Sequence, residues 1–488
     1  MSREFDAALA DIVGARHFQV GDAIGERYRL DISRKYASNP VGVAKPGSID
    51  EVSAIMRLAH AHGVPVTVVG GQSGTCGAAV PSDGGLALSL ERMNEVEEVD
   101  LVSMTMTVGA GCILQVAQER AEEQGVFLPL DLGARGSATI GGVIGTNAGG
   151  NRVIRWGMMR DMVLGLEAVL ADGTVVSSLG KMIKDNAGYA WKHLLIGSEG
   201  TLGIVTRAVM RLRPLPTNRQ TALVGLSSFA DAITVLRRLD VSLSGQLSSF
   251  ELMWKDFYRL HSEAQLAQRP CPMPHDYPIY ALVETMGGEE EGDAERFQRG
   301  LIRLIEEGLV ADAVIGQSER ERDGLWAVRE ELEPGFAPLR PFAAYDVSVA
   351  IADMPAYVDQ ARAAVLKKFP NAVVLFYGHA GDGNLHALCS VGRMDSGIQF
   401  ALDDAIYGTL RPYGGSVSAE HGIGTTRAPW LGHSRSETEL ALMRTIKQAL
   451  DPKGVLNPGK ILGHAASAQK TADDVGGPVG SELPPVIV

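Results

Sequence analysis

Two histidines stand seven positions apart around a glycine turn in His379-Ala-Gly-Asp-Gly-Asn-Leu-His386, and Ala419-Glu420-His421-Gly422-Ile423-Gly424 follows downstream. Imidazole nitrogen and carboxylate oxygen are the donors that zinc or another first-row divalent ion takes. A set of two histidines and one carboxylate drawn from these residues would leave coordination positions open to a substrate. An imidazole left outside such a set could take up a proton near neutral pH. On the residues alone two other readings stay open: polar side chains satisfied within turns, and a hydrolase in which the same set activates water.

The elements that must position these residues are legible in the pattern. Ser48 and Glu51 form a capping signature ahead of Val52, Ile55, Met56 and Ala59 at helical spacing; Gly63 closes that helix and VPVTVV continues as a strand. LALSL (86–90) and MTVGAG (106–111) read as strands leading to a helix over 113–124. VLGLEAVLADGTVV (163–176) is two apolar runs joined by Asp172-Gly173, a hairpin signal. TLGIVTRAVMRLRP (201–214) is another strand, ended by proline. After Pro216 glycine thins, and helical patterns at 229–240 and 294–309 alternate with strands such as YALVET (280–285), which implies a second α+β domain. Residues 437–450 read as a helix, LNPGKIL follows, and the small, polar, Pro/Gly-rich tail from about 465 is expected to be disordered.

Composition excludes several classes. With 45 Lys and Arg against 58 Asp and Glu the net charge is −13, which repels phosphate backbones and argues against nucleic acid as a partner. The four cysteines are scattered without a CxxC pair, so neither a disulfide framework nor a thiolate zinc site is expected. No run approaches the ~18 apolar residues of a membrane span, and MSREFDAALADIVGARHF lacks the apolar core of a signal peptide. A cytoplasmic protein is therefore expected. Glycine is abundant, 57 of 488 residues, without a collagen period. It gathers in GGQSGTCG (70–77), LGARGSATIGGVIGTNAGG (132–150) and GSEGTLG (197–203), where backbone must turn tightly or approach a ligand. There is no GxxxxGK[ST], and GxGxxG survives only in fragments such as Gly109-Ala-Gly111 and Gly422-Ile-Gly424. P-loop and Rossmann nucleotide sites are disfavoured.

VVGGQSGTCGAAVP, PLDLGARGSATIGGVIGTNAGG and KDNAGYAWKHLLIGSEGTLGI together resemble the FAD domain of the vanillyl-alcohol-oxidase-type flavoproteins, and LNPGKIL matches their C-terminal signature. Within that superfamily the chain is most similar to the D-2-hydroxyglutarate, D-lactate and glycolate dehydrogenase branch. The resemblance implies an α+β fold: an N-terminal helical segment (1–39), a PCMH-type two-subdomain FAD-binding domain (40–216), and a substrate and metal-binding cap domain with an antiparallel sheet (217–424). A C-terminal segment (425–464) would return to the FAD domain, ahead of the tail (465–488). It places the FAD pyrophosphate in the loop Gly70, Gly71, Gln72, Ser73, Gly74 and Thr75. The flavin would contact Pro129, Ser137, Gly141, Gly142, Asn147 and Gly150, joined by Ile204 and Asn457. Relatives with covalent flavin often carry a histidine in the first loop; Gln72 and Ser73 stand there here, so a non-covalent FAD is expected.

The same resemblance assigns His379, His386 and Glu420 to the metal, zinc being the expectation, His421 to the catalytic base and Arg329 of LWAVREE to the substrate carboxylate. The chemistry is coherent: a 2-hydroxy acid chelated through hydroxyl and carboxylate has a lowered hydroxyl pKa, His421 removes that proton, and hydride leaves C2 for flavin N5. A guanidinium suits a carboxylate; the alternative for Arg329 is a salt bridge to Glu330 or Glu331. The expected partners are a small 2-hydroxy acid and an electron acceptor (quinone, electron-transfer flavoprotein or cytochrome), and a homodimer is compatible with them. The hydroxyglutarate branch also carries a Thr, a Lys and an Asn where this chain has Glu333, Ala344 and Leu388. A distal substrate carboxylate would be poorly compensated, so a D-2-hydroxy acid other than 2-hydroxyglutarate is expected. Competing expectations are D-2-hydroxyglutarate itself, a metal-independent flavin alcohol oxidase, and a non-catalytic subunit of a larger oxidase.

Overall fold

The structure, a computed structural model, describes residues 3–463; the tail expected to be disordered lies outside them. Ser48 accepts from the Glu51 amide and the Glu51 carboxylate returns to the Gly47 amide, which starts the helix Ile49–His62. Gly63, at φ +66°, ends it. Its buried face carries Val52, Ile55, Met56 and Ala59. The helix leads into Val66–Val69, which pairs in parallel with Leu86–Ser89; that strand in turn pairs in parallel with Gly42–Ala44. Phe18–Gln19 completes this sheet in antiparallel sense. The N-terminal segment is an α-helix only over Arg3–Val13, because Gly14 leaves the helical region at φ +82°. A second, five-stranded antiparallel sheet runs Val96–Asp100, Thr105–Gly109, Ile204–Arg211, Val163–Val169, Val175–Ser178. The Asp172-Gly173 hairpin joins its last two strands. After the helix Glu437–Leu450 the chain comes back to the first sheet, where Leu456 bridges Val66.

Val126–Phe127 and Arg213–Pro214 pair as a short antiparallel ladder, and the other strands form one seven-stranded sheet, antiparallel throughout: Asp312–Ile315, Asn218–Leu226, Ile279–Gly287, Leu247–Trp254, Val373–His379, Asn384–Ser390, Phe342–Ser348. Side chains alternate across it with the strand period of two. One face, with Val224, Leu252, Val283 and Phe376, is covered by the helices Phe229–Ser242, Glu290–Glu306, Met354–Lys368 and Ser396–Gly408. The other face, with Leu223, Met253, Leu282 and Tyr377, packs on Lys255–Ala264 and Glu319–Glu330. On this second face the register aligns Glu251 with His379 and Asp346 with His386. The strand order therefore draws a row of ionisable side chains on four strands from three distant stretches of sequence.

His261, on Lys255–Ala264, is fully buried between Phe257 and Phe336, with ring centroids 4.3 and 4.7 Å away. Burial and the Arg329 charge push its pKa down to about 3. It is neutral in the folded protein, whereas an unfolded imidazole protonates below about pH 6.5. The unfolded state thus gains the proton first on acidification. Stability is full above that pH and falls by about 1.4 kcal/mol per unit below it, until the folded pKa is reached. His261→Phe should remove this term. Thermal unfolding at pH 7 and pH 5 should show the variant gaining about 2 kcal/mol relative to wild type at the lower pH, and parallel pH profiles would refute the assignment.

Candidate active site

Between the four- and five-stranded sheets and the seven-stranded one runs a cleft made of two adjoining cavities, of about 590 Å³ and 490 Å³, a size that suits an extended cofactor. Gly70, Gly71, Ser137, Gly141 and Gly142 line the first; Gln72, Ser73, Gly74, Thr75 and Gly150 line the second. The glycines press loops against each other first. A Cβ on Gly71 would lie 1.8 Å from the Ser137 carbonyl oxygen, one on Gly70 2.6 Å from Thr139 Oγ1, and one on Gly150 1.8 Å from the Asp131 carbonyl oxygen. Gly74, in contrast, has nothing within 4 Å of its Cβ direction. Thr75 Oγ1 is buried in this wall without a hydrogen-bond partner among the described residues, a polar atom left for a ligand.

Four residues expected to touch the cofactor do not line the cleft. Pro129 is buried between Leu128 and Leu130, whose carbonyls accept from Gln118. Asn147 ends the helix Ile140–Thr146 at φ +51° and accepts from the Arg160 amide. Ile204 lies in the five-stranded sheet opposite Val169. Asn457 accepts from Thr67 Oγ1 and donates to the carbonyls of Ala78 and Glu199, at 2.9 and 2.7 Å. Ala78 and Glu199 do line the cleft, so Asn457 acts on its wall from behind.

At the far end of the second cavity the structure brings together Arg329, His379, His386, Glu420 and His421. One donor atom each from His379, His386 and Glu420 lies within 4.8 Å of the others. The two Nε2 atoms are 3.3 Å apart, and His379 Nε2 is 3.7 Å from Glu420 Oε2. Tetrahedral zinc with bonds of about 2.1 Å holds its ligand atoms roughly 3.4 Å apart, so the donor set fits such an ion. His379 donates through Nδ1 to Glu251 Oε1 at 2.7 Å, which turns Nε2 inward. Burial lowers the His379 pKa, but the carboxylates of Glu251 and Glu420 outweigh it and raise it to about 9. Burial and His379 hold His386 well below the ordinary imidazole value. Glu420 Oε1 accepts from the Gly150 amide at 2.6 Å, which ties this end to the glycine loops.

His421 stands beside this group with Nδ1 3.5 Å from Asp346 Oδ2. The same oxygen accepts from the backbone amides of Glu420 and His421 at 3.0 and 2.8 Å. Burial raises the Asp346 pKa, yet His421, Arg427 and His386 hold it well below the usual carboxylate range, so it is ionised. Arg329 is buried with its guanidinium over the Tyr377 ring, and its Nε and Nη2 each lie 3.1 Å from Glu251 Oε2. The alternative pairing with Glu330 or Glu331 is not formed: Glu330 accepts from Asn151, and Glu331 pairs with Arg269. Glu251 and Asp346 went unread in the sequence. Their signal was present, an acid at an inward position of the apolar strands SSFELMW and AAYDVSV.

Residues 40–178 match the family model "FAD binding domain", and residues 215–461 match "FAD linked oxidases, C-terminal domain". The chain belongs to the FAD-linked oxidase family. Among curated relatives of this FAD-linked oxidase, the D-2-hydroxyglutarate dehydrogenase of Xanthomonas citri pv. viticola is 39% identical, over 93% of this chain and 96% of the relative. The mitochondrial D-2-hydroxyglutarate dehydrogenase of Bos taurus is also 39% identical, over 93% and 83%. A putative mitochondrial D-lactate dehydrogenase of Schizosaccharomyces pombe is 32% identical, over 89% and 84%. Among solved structures, p-cresol methylhydroxylase aligns with a TM-score of 0.72 at 17% identity, over 94% of this chain and 96% of that one. An alkyldihydroxyacetonephosphate synthase aligns at 0.71 and 18%, over 94% and 86%. These establish the PCMH-type fold, as expected from the sequence. Among the described residues no helix is long and apolar enough to cross a membrane.

In this FAD-linked oxidase the large-sheet positions beyond the histidines are apolar but do not line the two cavities. Leu388 is buried with Tyr377 and Phe336, and Ala344 pairs opposite Leu388 one rung beyond Asp346. The Glu333 carboxylate lies 2.7 Å from Arg340 Nη2. Among the described residues lining the second cavity, Arg329 is the one Lys or Arg, against Asp131, Glu330, Glu331 and Glu420.

Proposed function

We propose that the chain is a dehydrogenase of D-2-hydroxy acids that holds FAD without a covalent bond and a divalent cation, zinc, at His379, His386 and Glu420. The observation that carries this reading is the convergence of a three-donor set, a buried arginine and an Asp-supported histidine at the end of a glycine-walled cleft. When bound, FAD supplies the hydride acceptor and the cation lowers the pKa of a chelating hydroxyl. The protein supplies the rest. Arg329, fixed on Glu251 by Nε and Nη2, offers its remaining Nη1 end to the substrate carboxylate. Asp346 orients His421 and stabilises the imidazolium formed as His421 takes the hydroxyl proton. Two thiols line the cleft, and burial pushes Cys76 up to about 12 and Cys112 up to about 11. As neutral thiols they are poor nucleophiles, consistent with a flavin that acid releases.

The relatives' names favour 2-hydroxyglutarate, whereas the cleft favours a substrate without a second carboxylate. Arg329 is already paired with Glu251, and a distal anion in the second cavity would meet the acidic lining of Asp131, Glu330, Glu331 and Glu420. The electron acceptor is proposed to be a quinone, an electron-transfer flavoprotein or a cytochrome. Anaerobic mixing with D- and L-2-hydroxy acids, with and without chelator, tests the reading. Monocarboxylic D-acids should bleach the visible flavin band and chelator should suppress the bleaching. A kcat/KM for D-2-hydroxyglutarate well above the others overturns the substrate preference. Chelator-insensitive bleaching overturns the metal in favour of a metal-independent oxidase.

A further inference from the structure

Glu251 exchanges no proton or hydride in the chemistry just described, yet its two oxygens touch both halves of the site. It is 1% exposed, at an inward position of the strand Leu247–Trp254. Oε1 accepts from His379 Nδ1 at 2.7 Å; Oε2 receives Arg329 Nε and Nη2 at 3.1 Å each. A carboxylate behind an imidazole fixes the tautomer and ring orientation and makes the facing nitrogen a better donor. The same carboxylate fixes which edge of the guanidinium points into the cleft. We propose that Glu251 is a positioning residue that couples the metal-binding triad to the substrate-carboxylate clamp, so that one buried anion sets the distance between the chelated hydroxyl and the bound carboxylate. This rests on the reading of the site given above.

The geometry explains why one residue serves both. Glu251 and His379 are direct cross-strand partners, so their side chains leave the sheet side by side. Arg329 comes from the end of Glu319–Glu330 and lies over Tyr377, two residues before His379 on the same face. Arg329 Nη2 is itself only 3.5 Å from His379 Nε2. Without an anion between them a guanidinium so placed would oppose a cation at the triad. Glu251 is thus required electrostatically as well as geometrically.

The test measures Zn²⁺ affinity by competition with a chromophoric chelator, together with KM, kcat, FAD content and Tm. Glu251→Gln keeps the shape and removes the charge. Its Zn²⁺ affinity should fall by about 10–100-fold and KM for the best 2-hydroxy acid should rise at least about tenfold, with a smaller change in kcat and unchanged FAD. Because an unpaired Arg329 could prevent folding, Glu251→Gln with Arg329→Met is compared with Arg329→Met alone. The pair should show the same loss of Zn²⁺ affinity. A merely structural role would lower Tm without separating these two variants in Zn²⁺ binding. Wild-type Zn²⁺ affinity and KM in Glu251→Gln, or equal Zn²⁺ affinity in the comparison pair, overturns the proposal. Wild-type protein that binds no divalent ion overturns the metal reading itself, and the proposal with it.

Discussion

Replacing His421 by alanine should reduce the rate at which a 2-hydroxy acid bleaches the bound flavin by at least about 10³-fold, while FAD and metal content stay at wild-type levels. A positioned general base contributes about 10²–10⁴-fold, and among the described residues lining the cavity the other two imidazoles and Glu420 are already engaged. His379 and His386 face each other through Nε2 at 3.3 Å, and Glu420 spends Oε1 on the Gly150 amide. The variant should fold, because Asp346 anchors this turn through the backbone amides of residues 420 and 421, which alanine keeps. The His421 side chain is also about a quarter exposed, so its loss leaves little buried space. Stopped-flow reduction under anaerobic conditions, with flavin content taken from the oxidised spectrum, decides it. Reduction at the wild-type rate would remove His421 from the reaction.

Local rules carried the elements well. Ser48, Glu51 and Gly63 frame a helix because capping and left-handed termination involve neighbours in sequence. Asp172-Gly173 turns a hairpin for the same reason. His379 and His386 were readable as a pair since they sit on adjoining strands joined by a short turn. What the sequence concealed is non-local. Glu251 meets His379 across 128 residues, through a strand order that no turn or period announces. Asp346 reaches His421 because Phe342–Ser348 forms the sheet's edge beside Asn384–Ser390. Asn457 is a different case: a polar residue in a cofactor-like motif can as readily satisfy backbone carbonyls as a ligand, and here it holds Ala78 and Glu199. The glycine clusters imply places where backbone turns tightly or approaches a ligand. At positions 70, 71 and 150 the nearer requirement is that backbone approaches backbone or a threonine hydroxyl.

That distinction yields the second large effect: Gly71→Ala should give protein carrying less than about a tenth of the wild-type FAD. An alanine Cβ at this position would lie 1.8 Å from the Ser137 carbonyl oxygen, 2.6 Å from its carbon and 3.0 Å from Ala138 Cα. All three are main-chain atoms, so no rotamer change relieves the clash, and the loops must part by more than about 1 Å. Movement on the far side is opposed: Ser137 and Ala138 both donate to the Ala134 carbonyl, and the Ala138 carbonyl accepts from Leu114 at 2.8 Å. The first loop must yield instead, and it carries Gln72, Ser73, Gly74 and Thr75 along the wall of the second cavity. Gly324→Ala is the control, since it sits in Glu319–Glu330 with nothing within 4 Å and should bind FAD as wild type does. FAD per chain in the two purified variants is the measurement. A fully yellow Gly71→Ala protein would mean that the two loops can separate without loss of the cofactor, and that the glycine is there for some reason other than their contact.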